Sequence, residues 1–224
     1  MAMTERSDLA LLHPPFGLVL RAGDLTLRLL QDADLPEYAE LLRRPIFEDE
    51  SAPYVFGWYR IEPEQRVRNA LSFQWQLRSA RGPEQWTLPL GIWVQGRLIG
   101  CQDVSAQRFA ERHTVTSGSW LTLEAHGRGY GTLMRQAMLV LAFGHLGAVR
   151  AESAAGVDNA ASAAVSRRCG YVDDGTQVSR QPGMNGLERR FLATPESFRR
   201  PQVPVEVEGL TAELREMQIG RAHV

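Results

Sequence analysis

HGRGYGT, residues 126–132, and NAASAAVSRRCGY, residues 159–171, are the two stretches of sequence that decide the fold. The first follows an apolar strand pattern and opens an apolar helix, so it gathers unpaired backbone N–H groups at the positive end of a helix dipole. Glycines suit this turn because a side chain would keep phosphate oxygens away from the amides. Arg128 can add a charge and Thr132 a hydroxyl, which makes the turn a candidate anion site.

Other interpretations of the glycine turn stay open on this evidence, beginning with a plain structural turn. A Walker loop is excluded because it needs a lysine and the chain has none. A dinucleotide fingerprint needs a third glycine where Thr132 or Met134 stands, although Glu152 lies at a suitable distance for a ribose-binding acid. A dinucleotide-dependent oxidoreductase therefore remains a secondary alternative.

Hydrophobic periodicity outside these stretches predicts a mixed sheet with helices on its faces. A loop rich in aromatic residues at 45–63 could line or cover a site. The predicted strands are 25–29, 86–94, 97–104, 115–123, 148–154, 171–179 and 187–193, with turns at 95–96 and 182–186. The predicted helices begin near Pro36 and cover 67–75, 132–143 and 160–169, with a weak one at 211–217.

Composition excludes several classes of function. The formal net charge of −1 gives no reason to expect nucleic acid or an anionic membrane as the main partner. With only Cys101 and Cys169, the chain has neither a disulfide framework nor metal-ligand spacing, so we expect no metal and a reducing, cytoplasmic location. The apolar run at 9–20 is broken by Pro14 and Pro15, which is typical of neither a signal peptide nor a membrane span.

The predicted domain organisation has three parts. Residues 1–24 form an N-terminal extension, residues 25–194 the functional domain, and residues 195–224 a C-terminal tail of unassigned role. The last six residues, 219–224, resemble a cloning or sequencing artefact, so no secondary structure is predicted for them.

Together the two stretches resemble the GNAT superfamily of N-acyltransferases. Its members pair a Gln/Arg-x-x-Gly-x-Gly/Ala turn with a later Asn-x-x-Ser-x-x-Val-x-x-Lys/Arg-x-Gly-Phe/Tyr helix. The sequence GSWL at 118–121 makes the chain similar to the bacterial branch of ribosomal-protein N-terminal acetyltransferases. The resemblance runs from about residue 25 to 193 and implies an α/β (α+β) fold, a mixed, mostly antiparallel sheet of about seven strands flanked by about four helices.

The resemblance implies that acetyl-CoA, or succinyl-CoA as an alternative, is the acyl donor. Amides from Gly127 to Thr132 would hold the pyrophosphate, while the strand at Leu121 and Leu123 pairs with the pantetheine arm and Asn159 bonds that arm from the other side. The blander alternative is that Asn159 caps a helix and Ser162 lies in its first turn. The predicted coenzyme contacts are Leu121, Leu123, His126, Gly127, Arg128, Gly129, Tyr130, Gly131, Thr132, Asn159 and Ser162.

Two positions depart from the family pattern. His126 stands where the family has Gln or Arg, which still allows the turn. Thr116 stands where some members of the branch carry a strand Glu proposed as a base, so that role is not carried over. The missing Glu favours one competing hypothesis, an acyl-CoA-binding module without turnover.

Acyl transfer to an amine sets further requirements. Making a lysine-like amine neutral at pH 7 costs about 5 kcal/mol, which desolvation or a base must supply. The oxyanion needs a hydrogen-bond donor, such as a backbone N–H of the 120–123 strand. The departing thiolate needs a proton, for which Ser162 is the first candidate and Tyr171 the second. The candidate bases are Glu152, Asp158, His113 and the acidic run 48–50.

The acceptor is predicted to be a primary amine on a small molecule or a protein N-terminus, and a homodimer is compatible with the sequence. The predicted catalytic residues are Ser162, Tyr171 and Glu152. The predicted substrate pocket comprises Trp58, Gln102, Ser119 and Trp120, although tryptophan more often packs in a core.

Overall fold

The computed structural model describes residues 8–79, 82–179 and 186–219. Over these residues the chain forms ten β-strands and seven α-helices. The strands are β1 Val19–Ala22, β2 Leu25–Leu29, β3 Gln85–Val94, β4 Arg97–Gln107, β5 Thr114–Thr116, β6 Ser119–Leu121, β7 Arg150–Gly156, β8 Val172–Val178, β9 Leu187–Ala193 and β10 Val205–Glu208. The helices are α1 Asp8–Leu12, α2 Leu35–Arg43, α3 Pro63–Ser79, α4 Phe109–Arg112, α5 Tyr130–Leu139, α6 Ala160–Arg168 and α7 Ala212–Ile219.

All strands belong to one sheet in the order β10-β1-β2-β3-β4-β5-β7-β9-β8, with β6 paired to β4 beside this path. Among the described strands only β5 and β7, which are joined through α5, run parallel. The predicted fold class is confirmed, and the strand count is ten instead of about seven. A dinucleotide-binding fold needs several consecutive parallel strands, so one parallel pair in a mostly antiparallel sheet does not support the dinucleotide alternative.

The single strand predicted at 115–123 is wrong, because the chain changes partner within it. β5 pairs with β7 and, through Thr116, with Ser105 of β4, whereas β6 pairs with β4 further along. Residues Leu123–Ala125 then form a 3-10 turn outside the sheet. Ser117, Gly118 and Ser119 interrupt the apolar alternation here, and the pairing with β7 before them and with β4 after them shows the break.

The remaining predicted elements are present with shifted ends. The β3–β4 hairpin turns at Gln95 and Gly96, both with positive φ, as two-residue hairpin turns require. Helix α3 is longer than the periodic segment, and Trp75 on its predicted apolar face is 50% exposed. Helix α5 continues into a π-helical segment, Val140–Leu146, that ends at Gly147. The predicted turn at 182–186 falls mostly outside the described residues.

The two faces of the sheet are covered differently. Helix α5 packs against β1, β2 and β4, where Leu27, Leu90 and Met138 are fully buried. Helices α2 and α3 cover the β3–β4 hairpin on the other side, through a cluster that includes Leu42 and Val67. The aromatic loop between α2 and α3 adds a third, smaller cluster.

Both segments flanking residues 25–194 contribute to the sheet. β1 pairs with β10, with Leu20 opposite Val207, and with β2. Gly209, directly after β10, packs closely against the chain before β1. A Cβ atom at Gly209 would lie 1.7 Å from the Gly17 carbonyl oxygen. The domain boundaries stay a prediction. None of the described helices has the length and apolar character needed to cross a membrane.

Gly170 is predicted to be irreplaceable for stability. Its φ is +96°, and a Cβ atom would lie 2.0 Å from the Ser197 carbonyl oxygen, so Gly170→Ala adds backbone strain and a clash. We expect it to lower the free energy of unfolding by about 2–3 kcal/mol in urea titration. The control Gly144→Ala, where a Cβ atom meets nothing within 4 Å, should stay within about 1 kcal/mol of the parent. Equal losses in the two variants would contradict this account.

Candidate active site

The site begins where the sheet opens between β6 and β7. The Ser117 amide donates to the Glu152 carbonyl oxygen at 3.2 Å, the last link of this pair. After it the described sheet hydrogen bonds of this segment go to β4: the Asp103 amide donates to the Gly118 oxygen at 2.9 Å and the Thr122 amide to the Ile99 oxygen at 2.9 Å. The two neighbouring strands therefore diverge.

The open edge of β6 presents main-chain groups to this gap. Antiparallel pairing alternates the direction of the backbone groups, so those of Ser119 and Leu121 point away from β4. The Leu121 carbonyl oxygen lies 3.0 Å from Nε2 of His126. The amide of Leu123 already donates to the Pro45 oxygen at 2.8 Å, so the available edge ends at Leu121 and excludes the predicted Leu123 contact.

The glycine turn closes one end of the gap. Gly127 and Gly129 have φ of +72° and +83°, and a Cβ atom at either would meet nothing within 4 Å, so the space above the turn is empty. Gly129 caps α5, which leaves the amides of Tyr130 and Gly131 without intrahelical partners. The Thr132 amide donates to the Gly129 oxygen at 3.1 Å, so the free amides end at Gly131.

Helix α6 forms the opposite wall. Oδ1 of Asn159 accepts from the Ser162 amide at 3.0 Å, so Asn159 does cap the helix. The Asn159 side-chain oxygen is used by the cap, and its amide nitrogen is left to donate a hydrogen bond to a bound molecule. The Ser162 side chain is half-buried and faces the same cleft.

Arg135 of α5 links the two diverging strands from the face of the sheet that α5 covers. It is 4% exposed, and its guanidinium donates to Ser119 Oγ on β6 at 3.1 Å and to Ser153 Oγ on β7 at 3.2 Å. It also donates to Ser166 Oγ on α6 at 3.2 Å. No described carboxylate pairs with it. A buried positive charge held by neutral hydroxyls therefore lies at the floor of the gap.

Asp103 faces the cleft from the other side of the sheet. Its Oδ1 accepts from the Gly118 amide at 2.8 Å. Burial raises the pKa of Asp103 to about 6, while the Gly118 hydrogen bond and the Arg135 charge oppose the rise. Sequence reasoning missed both charged residues. Their positions are unusual in the sequence, because Asp103 lies within the apolar strand β4 and Arg135 within the apolar helix α5.

These parts surround a cleft of about 1090 Å³. Phe47, Tyr54 and Phe56 line it, as predicted for the aromatic loop. The predicted site residues that line it are Ser119, Trp120, Leu121, His126, Gly127, Gly129, Gly131, Thr132, Glu152, Asn159 and Ser162.

Other predicted residues lie outside the cleft lining. Arg128 and Tyr130 alternate with the three glycines of the glycine turn. Gln102 is fully buried with its amide unbonded, and Trp58 stacks on Phe56 at the rim. Tyr171 is 3% exposed, and burial raises the pKa of its hydroxyl to about 12 within the core.

The remaining base candidates do not line the cleft either. His113 packs edge-on against Phe109, with ring centroids 5.7 Å apart. Asp158 is exposed, and in the acidic run Glu50 accepts from the Tyr59 hydroxyl at 2.6 Å. Four carboxylates line the cleft: Asp103 on β4, Glu152 on β7, Asp174 on β8 and Glu188 on β9.

Solved structures that resemble this fold include the following three. Mycobacterium smegmatis RimJ in complex with CoA-disulfide is 17% identical, with 82% of this chain and 90% of that chain covered and a TM-score of 0.63. RimL, the ribosomal L7/L12 alpha-N-protein acetyltransferase in complex with coenzyme A, is 17% identical, with 80% and 99% covered and a TM-score of 0.63. The microcin C7 self immunity acetyltransferase MccE in complex with acetyl-CoA and AMP is 18% identical, with 77% and 93% covered and a TM-score of 0.59.

At these identities the structural likeness establishes the fold alone. The family itself is established by a sequence model that matches residues 24–172, which include the diverging strands, the glycine turn and α6. The chain belongs to the acetyltransferase (GNAT) domain family.

Proposed function

We propose that this protein transfers an acetyl group from acetyl-CoA to a primary amine by direct attack of the amine on the thioester. The observation that carries the proposal is the gap between β6 and β7, which is closed at one end by unpaired amides at the start of α5. This arrangement provides an anion site and an unpaired strand edge in one continuous cleft.

The donor is held by main-chain groups in this proposal. The pyrophosphate is bound by the amides from Gly127 to Gly131 with the helix dipole behind them, which favours negative charge. The pantetheine amides bond the free edge at Ser119 and Leu121 as an added strand would. The Asn159 amide nitrogen donates to the same arm from α6.

The thioester then lies between α6 and the substrate face of the sheet. The Ser162 hydroxyl supplies a proton or hydrogen bond to the departing thiolate, a role for which Tyr171 is too deeply buried. An amide of the β6 edge stabilises the oxyanion. Although Thr116 lacks a carboxylate, Glu152 pairs directly with it on β7, so this position gives no support to a binding module without turnover.

The acceptor is a primary amine on a small molecule or a protein N-terminus. RimL supports the second choice by likeness of fold, since it is an alpha-N-protein acetyltransferase. Transfer is tested with purified protein, acetyl-CoA or succinyl-CoA, and a library of amines, with product detection by mass. Binding of acetyl-CoA without any product would favour the binding module.

Gly129→Val should abolish coenzyme binding. The side chain would enter the empty space above the turn and displace the pyrophosphate. In thermal-shift measurements with acetyl-CoA at 100 times its dissociation constant, the parent should gain about 2.7 kcal/mol and the variant nothing. The matched control is Gly147→Val, which has a similar φ of +79° and equally empty surroundings but does not line the cleft. A full gain in Gly129→Val would show that the anion site lies elsewhere.

Asn159→Ser separates helix capping from coenzyme binding. Serine caps a helix about as well as asparagine but cannot replace the amide nitrogen as a donor in the same position. We expect unfolding free energy within about 0.5 kcal/mol of the parent. The dissociation constant of acetyl-CoA, measured by calorimetry, should rise roughly 5- to 10-fold. An unchanged dissociation constant would leave Asn159 with the capping role alone.

Ser162→Ala should slow turnover without weakening donor binding. The hydrogen bond of the cap uses the Ser162 backbone amide, so the substitution leaves the helix start intact. We expect kcat to fall roughly 10²-fold, the usual effect of losing an acid–base group. The acetyl-CoA dissociation constant should stay the same. Parent-like kcat would remove Ser162 from the mechanism.

A further inference from the structure

Asp103 shares the cleft with three other carboxylates that are bonded to neighbouring side chains, and one of them, Glu188, accepts from Gln177 and Ser179. Glu152 lies 3.6 Å from the Arg150 guanidinium, and Asp174 pairs with Arg190 at 2.9 Å. Asp103 makes no ion pair with any described residue, and its Oδ1 is held by the Gly118 amide. Its second oxygen is therefore available for a cation from outside the protein.

An aromatic wall lines the same cleft as this carboxylate. We use this name for Phe47, Tyr54, Phe56 and Trp120, which are half-buried and line the same cleft as Asp103. The Phe47 ring is 5.4 Å from Phe56 in an edge contact and 6.2 Å from Tyr54. Trp120 packs against this cluster from the sheet.

The sheet register places Asp103 and Trp120 on one face. Cys101 lies directly opposite Trp120, and Asp103 is two residues further along β4. Residues two apart on a strand share a face, and a diagonal pair across two strands is roughly 7–8 Å apart, within reach of a long side chain. Burial raises the pKa of the Cys101 thiol well above its usual value, so the thiol stays neutral between them.

We propose that Asp103 and the aromatic wall form the acceptor subsite, which takes a primary ammonium carried on an aromatic or apolar body, and that Asp103 is the base that deprotonates it. The carboxylate binds the ammonium group, and the rings pack against the body and face the positive charge. This inference rests on the proposed acyl transfer and adds its substrate class and its base.

The proton balance of the reaction is closed by two groups. Asp103 takes one proton from the ammonium and later passes it to water. The neutral nitrogen forms a bond to the thioester carbonyl carbon, and the C–S bond breaks with its electron pair on sulfur. The second proton lost by nitrogen reaches the sulfur through the Ser162 hydroxyl. The products are an amide, a free thiol and one proton in solution.

The charges around Asp103 define the expected pH dependence. Arg135 acts on it from α5, and Glu152, Arg150 and Arg112 share the cleft. Since the basic form of a carboxyl with a pKa of about 6 exists above that pH in the free protein, kcat/KM should rise through pH 6 and then level off. A raised pKa also means that the charged form destabilises the fold at higher pH. Asp103→Asn should therefore not lower the melting temperature at pH 8.

The test uses the full chain with acetyl-CoA and four primary amines that differ in the group attached to the nitrogen. Release of the coenzyme thiol is the readout. The amines are 2-phenylethylamine, hexylamine, 2-aminoethanol and 1,4-diaminobutane. We expect kcat/KM for 2-phenylethylamine to exceed that for 2-aminoethanol roughly 10- to 100-fold, the effect of burying a ring. Phe47→Ala should raise KM for 2-phenylethylamine more than for 2-aminoethanol, with kcat little changed.

Asp103→Asn tests the base separately. We expect kcat to fall roughly 10²- to 10³-fold and the rise near pH 6 to disappear, while the acetyl-CoA thermal shift persists. Glu152→Gln is the matched comparison, because it removes a carboxylate that lines the same cleft from β7. If Glu152→Gln abolishes the rise and Asp103→Asn keeps it, Asp103 is not the base.

The remaining outcomes distinguish the two levels of inference. Efficient transfer with preference for 2-aminoethanol or 1,4-diaminobutane would overturn the substrate class and leave the acyltransferase intact. Transfer to a protein N-terminus or another amine of the library, but to none of these four, would likewise overturn the substrate class alone. Coenzyme binding without transfer to any of these acceptors would overturn the acyltransferase and, with it, the acceptor subsite.

Discussion

A main-chain constraint organises this molecule: two neighbouring strands part, and the backbone groups along the parting must still find partners. The Ser117 amide makes the last bond to β7, and the following residues turn to β4. Arg135 bridges the gap on the helix side through serine hydroxyls on both strands. On the other side the β6 edge remains open beside the glycine turn, and the proposed coenzyme site rests on this combination.

Sequence reasoning located the elements that depend on local patterns. The glycine turn, the α6 cap and the β3–β4 hairpin all follow from residues within one turn of chain, and each lies where the pattern predicted. The break at 117–118 lies within a predicted continuous strand, although Ser117, Gly118 and Ser119 leave a gap between the apolar residues Val115 and Trp120. This gap does not show which strands pair on either side of it, because the partners β4 and β7 are distant in sequence.

The same limitation explains the site residues that were misplaced or missed. Alternation shows that Gln102 and Asp103 point to opposite faces of β4, but it does not show which face borders the cleft. Gln102 is enclosed beneath the sheet, and Asp103 faces the opening. β1 and β10 have only four residues each, too few for a clear period, and are recognisable as strands because they pair with each other.

The ends of the sheet limit how copies of the chain can associate. β10 is short, follows Pro204, and presents Glu206 and Glu208 to solvent. At the opposite end, the pairing of β8 with β9 shifts register between Asp173 and Thr176. Short, charged or irregular outer strands are poor templates for an incoming strand. Joining of two sheets into a continuous one is therefore disfavoured at both borders, and any self-association would use helices or loops.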